Sequence, residues 1–261
     1  MTPVLRPNFS TVTEQPGQLA SRSQLQMMAA RYAWAGGLAL DKDLLEVACG
    51  AGMGLAALAR SARWVEAVDV DDRNLGLARA NCAHLPNVHL RRAQAEDLPY
   101  AEASFDLVVL FEALYYLSDP WRFFRQAHRV LRPGGRLLIS TVNREWTGFN
   151  PSPFHTRYLS AAELGRGLAE CGFEVGLEAG FPEGRGALAG LVGSLRGAAV
   201  RLGWMPRTMR GKAFLKRVFY GRLEPIPSQL DPNRYRWPKF APFDPVTGDG
   251  FRVLYAEARK I

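Results

Sequence analysis

The sequence predicts an α/β protein built on a doubly wound, seven-stranded, mostly parallel sheet, with an insertion between its last two strands. Three observations carry this. Short β-rich runs alternate with helical patterns through the middle of the chain, which is the signature of βαβ units. The first such run ends in a glycine turn, "LLEVACGAGMG", residues 44–54. The last run, "FRVLYAEA" at 251–258, alternates cleanly but stands some seventy residues beyond the one before it.

The elements follow in order. Residues 1–35 form an N-terminal helical cap with one helix at 20–35. Strands are expected at 43–48, 64–69, 88–92, 105–111 and 136–142, each rich in β-branched or other apolar residues. Helical patterns fill the intervals at 53–62, 72–83 and 120–131. Pro133-Gly134-Gly135 reads as a turn that ends the third helix and starts the next strand. Ser160, with Glu163 three residues later, opens a further helix at 160–171 through a capping box. A strand at 173–179 completes the run. The core is thus expected at 36–180 and 251–261. Residues 181–250 form a basic, Pro-rich lid or acceptor insertion, helical at 185–222 and too rich in proline at 224–246 for a central strand.

Composition narrows the class. The chain has 261 residues, 48% of them apolar, enough for a full core. No apolar leader opens it, and no stretch reaches the roughly 20 apolar residues of a spanning helix. Three widely spaced cysteines, Cys49, Cys82 and Cys171, read as reduced thiols of a cytoplasmic protein. The net charge of +8 is uneven. Between Glu183 and Glu224 stand nine bases and no acid, which suggests an anionic partner or contact with the inner face of a membrane through 185–222. The four histidines, His84, His89, His128 and His155, lack ligand spacing, so no metal site is expected.

The glycine turn lies where open α/β sheets bind ligands. Gly50 and Gly52 let the backbone approach a ligand closely, and Gly54 lets the next helix pack. A dinucleotide fingerprint would place its third glycine at Leu55, and no Lys-Ser/Thr pair follows, so neither that fingerprint nor a P-loop fits. Asp69 ends the second strand nineteen residues after Gly50. An acid there can accept both hydroxyls of a ribose, with Val70 beside the base and Asp71 or Asp72 capping the next helix.

The stretch "RRAQAEDLPYAEASFDLVVLFEALYYLSDP", taken with "LLEVACGAGMG", "VEAVDVDD" and "RVLRPGGRLLIS", resembles the class I S-adenosylmethionine-dependent methyltransferases in motif order and spacing over about residues 40–145. The flanks "EQPGQLASRSQLQMMAARYAWA" and "STVNREWTGFNPSPFHTRYLSAAEL" are similar to small-molecule members from bacteria, some of which accompany glycan or natural-product biosynthesis. The resemblance implies a Rossmann-like methyltransferase fold, S-adenosyl-L-methionine as cofactor and S-adenosyl-L-homocysteine as product. It implies that Glu46 holds the cofactor's amino group, with Ala48, Gly50 and Gly52 beside the methionine moiety. Asp69 would take the ribose, and Val70, Gln94, Ala95 and Glu96 the adenine. Phe111 and Glu112 would face the sulfonium. Gln94 departs from the acid many relatives carry there; its amide can accept the same hydrogen bond without the charge.

Methyl transfer to an O or N atom needs alignment and, for a protonated acceptor, a base. His155, after the fifth strand, is the first candidate by its ordinary pKa. Tyr115 and Tyr116 follow the fourth strand and could shape the acceptor pocket; Arg157 and Tyr158 are weaker candidates. Cys49 suits the turn by its small size. The acceptor expected is a small molecule, anionic or sugar-containing, such as a nucleotide-linked sugar or a lipid-linked glycan. Two other classes compete: a nucleic-acid methyltransferase, against which "FEAL" ends the fourth strand without a Pro-Pro-Tyr turn, and a non-catalytic S-adenosylmethionine-binding regulator.

Overall fold

In the computed structural model, residues 9–182, 223–244 and 250–261 are described. After a 3-10 turn at Phe9–Thr11 come β1 (Leu19–Ser21), α1 (Arg22–Leu38), β2 (Asp43–Val47), α2 (Leu55–Ala59), β3 (Trp64–Asp69), α3 (Asp72–Cys82), β4 (Val88–Arg92) and β5 (Phe105–Phe111). Then follow α4 (Pro120–Val130), β6 (Leu131–Val142), α5 (Ala161–Glu170), β7 (Phe173–Pro182), β8 (Leu223–Pro225), β9 (Ala241–Pro242) and β10 (Phe251–Lys260).

The main sheet has the order β4-β3-β2-β5-β6-β10-β7-β9. Neighbours from β4 to β6 run parallel, and β10 returns antiparallel between β6 and β7. Seven of these strands are those predicted from the sequence. The eighth, β9, is a two-residue edge added by the Pro-rich segment, and proline is tolerated there because an edge strand leaves one side unpaired. β2 and β5 are buried along nearly their whole length, because helices cover both faces.

Helix ends follow their caps. Asp71 accepts from the Arg73 N–H to open α3, and Ser160 and Glu163 form the capping box that opens α5. α2 is much shorter than the 53–62 pattern suggested. β6 starts earlier than expected, at Leu131, so Pro133-Gly134-Gly135 lies inside the strand as an irregularity against β5, with Gly134 at φ 72°. A glycine turn within a strand makes a bulge when the pairing resumes beyond it.

Two apolar layers flank the sheet. One gathers α1, α2 and α3 around Leu25, Leu55 and Leu75; the other gathers α4 and α5 around Phe123, Phe124 and Leu164. Phe123 and Phe124 are fully buried, worth about 1.5–3 kcal/mol each. α1 is no detached cap: Leu25, Met28, Ala29, Tyr32 and Ala35 belong to the core.

The described end of the insertion anchors the N-terminal segment. β8 pairs antiparallel with β1, the Leu230 N–H donates to the Met53 carbonyl, and Gln26 donates to the Arg236 carbonyl. Of this stretch, Leu223 lines the large cavity described below. The basic block 185–222 lies outside the described residues. No helix among the described residues is long and apolar enough to cross a membrane.

Candidate active site

A cavity of about 830 Å³ opens at the carboxyl edge of the parallel strands. The turn after β2 forms its floor. Ala48 has φ 58°, Gly50 58° and Gly52 73°. On the adjacent strand β5, Glu112 also takes a left-handed conformation, at φ 52°. Non-glycine residues rarely hold positive φ, and two of them at neighbouring strand ends is strain concentrated at one edge.

The turn is held by Asp69. Its Oδ2 accepts from the Gly50 N–H at 2.9 Å, and its Oδ1 accepts from the Asp71 N–H at 2.8 Å and from Asn74 Nδ2 at 3.4 Å. Asp69, expected from the sequence to take the ribose, thus also braces the turn, because the backbone donors of the turn need an acceptor. A carboxylate offers about four acceptor positions, so capacity remains for a further hydroxyl. Burial raises the Asp69 pKa and these hydrogen bonds oppose the rise.

Glu46 lies one layer behind the cavity wall, 2% exposed. The Tyr32 hydroxyl donates to its Oε1 at 2.7 Å, and its Oε2 has no partner among the described residues. Burial pushes the Glu46 pKa up to about 7, against the lowering effects of the Tyr32 hydrogen bond and the Arg31 charge. Gly52 also stands outside the wall, where a β-carbon would meet Ala78 at 3.0 Å.

The other cofactor-side residues named from the sequence, Ala48, Gly50, Asp69, Val70, Gln94, Ala95, Glu96, Phe111 and Glu112, all line the cavity. Glu96 Oε1 accepts from the Ser118 N–H at 2.9 Å, tying the loop after β4 to the loop after β5. Phe111 meets Tyr32 edge-on at 5.4 Å.

Tyr115 and Tyr116 also line the cavity. Tyr115 stacks on Tyr158 at 4.6 Å, and the Tyr116 hydroxyl shares a hydrogen with Ser152 Oγ at 2.6 Å. Burial raises both phenol pKa values. Burial also raises that of Glu112, which the positive charge of Arg31 partly offsets.

His155 is placed differently. It is exposed, its Nδ1 lies 2.7 Å from the Ser152 carbonyl, and its ring tilts against Tyr158. It is not among the residues lining the cavity. The 152–158 loop does reach Tyr115, whose carbonyl accepts from the Thr156 N–H at 2.8 Å, and Ser152 of that loop lines the cavity. The expectation that His155 sits at the site is not met.

Sequence reasoning missed the wall supplied by the N-terminal segment and the last strand. Glu14 pairs with the buried Arg31 at 2.8 Å, and Arg252 lies over Trp146 at 5.3 Å. A signal existed: Arg31 and Tyr32 interrupt an otherwise apolar "MMAARYAWA", and Arg252 opens an apolar strand.

Comparisons with known proteins follow the same lines. Residues 45–139 match a family described as a methyltransferase domain. A probable S-adenosylmethionine-dependent methyltransferase of Mycolicibacterium smegmatis is 41% identical over 140 residues, covering 51% of this chain and 52% of the relative. The chain spans about half the length of these curated relatives. Two solved structures share the fold. The [4+2]-cyclase SpnF has a TM-score of 0.60 at 22% identity, covering 95% of this chain and 85% of its own. An S-adenosylmethionine-dependent methyltransferase from Thermotoga maritima, described as a possible histamine N-methyltransferase, has a TM-score of 0.58 at 17% identity, covering 91% and 92%. The chain thus shares the Rossmann-like fold of these two structures, and over residues 45–139 it matches a family described as a methyltransferase domain.

Proposed function

We propose that this chain is an S-adenosylmethionine-dependent methyltransferase that carries a methyl group to an oxygen or nitrogen atom of a small acceptor. One observation supports it above the rest: the positive-φ turn 48–52, the Asp69 carboxylate that braces it, and the buried Glu46 with a spare oxygen meet at one sheet edge. The donor set fits the cofactor. Asp69 keeps acceptor capacity for a ribose hydroxyl, Gly50 lets the chain approach closely, and Gln94, Ala95 and Glu96 border a space for the adenine. Glu46 offers a negative charge to an ammonium across Tyr32.

When bound, the cofactor supplies an activated methyl group, so the protein contributes alignment, exclusion of water and removal of a proton. Glu112 is the residue for the last task. It lines the cavity on the central strand, and its raised pKa improves it as a base near neutral pH. Tyr115 and Tyr116 orient the acceptor, since phenols with raised pKa values stay protonated and donate hydrogen bonds. A nucleotide-linked sugar or lipid-linked glycan remains a candidate on the strength of the basic block alone.

The test has two parts. S-adenosylhomocysteine is titrated into the protein by calorimetry, and trideuteromethyl-labelled cofactor is incubated with sugar nucleotides, glycolipids, phenols and amines. Binding of the product together with label in at least one acceptor is expected. A protein that neither binds S-adenosylhomocysteine nor transfers label is not this enzyme.

A further inference from the structure

We infer that Arg252 anchors an oxyanion of the acceptor, a carboxylate or a phosphate, at the end of the cavity away from the cofactor. The inference rests on the methyl-transfer reading and names the substrate class for it.

Arg252 stands near the start of β10. Because β10 runs antiparallel, its start lies at the same sheet edge as the ends of β2 and β5, with Val253 opposite Val142. The strand order separates two regions along this edge. The glycine turn, Asp69 and the loop after β4 belong to β2, β3 and β4; Glu112 ends β5; Arg252 lies on β10, beyond β6. With strands about 4.8 Å apart, the backbones carrying Glu112 and Arg252 are about 10 Å from each other. A ring-sized molecule spans that gap once the side chains reach inward.

The guanidinium is oriented, and no carboxylate among the described residues neutralises it. Trp146 lies against it at 5.3 Å, and Nη1 donates to Ser23 Oγ at 3.3 Å. Its Nε is buried and has no partner among the described residues, and none of their carboxylates comes within 4.0 Å of it. Arg31, in the same cavity, is by contrast committed to Glu14 at 2.8 Å. The Trp146 ring and the Ser23 hydroxyl hold the side chain in place where Arg252 lines the cavity. A guanidinium is a planar fork suited to two oxygens of one anion. Arg252 is half-buried, and a cation held partly out of water with no carboxylate partner among the described residues favours an anionic group entering the cavity.

The test uses the full chain saturated with S-adenosylhomocysteine and three ring-sized probes: benzoate, phenyl phosphate and benzamide. At least one anion should bind about tenfold more tightly than benzamide, and which one does so distinguishes a carboxylate from a phosphate acceptor. Arg252→Gln should bring that anion to within about twofold of benzamide, while Arg252→Lys, keeping charge without the fork, should fall between. Thermal melts check that both variants fold, and the Arg252 Nε–H resonance in the wild-type chain should shift with the anion even where a variant does not fold. Benzamide binding as tightly as both anions, or an anion preference unchanged in Arg252→Gln, overturns the inference. Failure of S-adenosylhomocysteine to bind overturns the methyl-transfer reading instead, and the same probes on the cofactor-free protein still decide the role of Arg252.

Discussion

The Tyr32 hydroxyl donates to Glu46 Oε1 at 2.7 Å, so a helix outside the central sheet holds the acid at the end of its first parallel strand. The pair makes stability depend on pH and, on the proposed reading in which Glu46 meets the cofactor's ammonium, cofactor affinity as well. The Glu46 pKa is raised from 4.5 to about 7 in the folded chain, chiefly by burial. Between those values the folded state holds a proton that the unfolded chain has released. The contribution of Glu46 to stability is therefore fully present below 4.5 and is lost as pH rises through about 7. A cation beside the acid favours its ionised form, so affinity for S-adenosylhomocysteine should fall as pH drops below about 7. Calorimetry in buffers of different ionisation enthalpy should show proton release on binding near pH 6.5. Glu46→Gln should abolish that release; unchanged proton release in the variant would separate Glu46 from the cofactor.

Gly54 exists for the same tyrosine. A β-carbon at that position would lie 1.9 Å from the Tyr32 ring, with no room for either group to move aside cheaply. Gly54→Ala should lower stability by about 1–3 kcal/mol or more through overpacking, and should loosen the Tyr32–Glu46 bond with it. Gly76, inside α3 with nothing within 4 Å of a β-carbon, is the control. Gly76→Ala should raise stability by about 0.5–1 kcal/mol. Urea titration of both variants reads the two signs directly, and a neutral Gly54→Ala would mean that α1 is not packed against the glycine turn as described.

The parts of this fold that were legible in the sequence are those governed by local rules. Seven strands, the Asp71 cap and the Ser160 capping box follow from patterns within a dozen residues. The parts that were not legible depend on distant segments meeting. Nothing near Leu19 announces that it pairs with Pro225, or that Thr13 approaches Gly50 closely enough to meet a β-carbon at 2.9 Å. The same holds for His155: its position after the fifth strand is legible, but the setting of its ring depends on Ser152 and Tyr158. Arg252 was passed over because a lone arginine in an alternating strand reads as a solvent-facing residue until the cavity above it is known.

Removing each base candidate should therefore give opposite results. Glu112 lines the cavity in a left-handed conformation, with its amide N–H donating to the Ser140 carbonyl at 2.9 Å, and the proposed reading puts its carboxylate at the reacting end. Glu112→Gln keeps the shape and removes the proton acceptor. With an O–H or protonated N acceptor, kcat should fall by about 10²–10⁴-fold while KM for the acceptor changes little. The acidic limb of the wild-type pH–rate profile, set by a carboxyl pKa that burial raises, should vanish in the variant. His155→Ala, an exposed change outside the cavity, should leave kcat within about twofold. Steady-state rates for the two variants across pH 5–9 decide between them: a large loss in His155→Ala with an active Glu112→Gln would return the proton transfer to the histidine and require the 152–158 loop to turn inward when the acceptor binds.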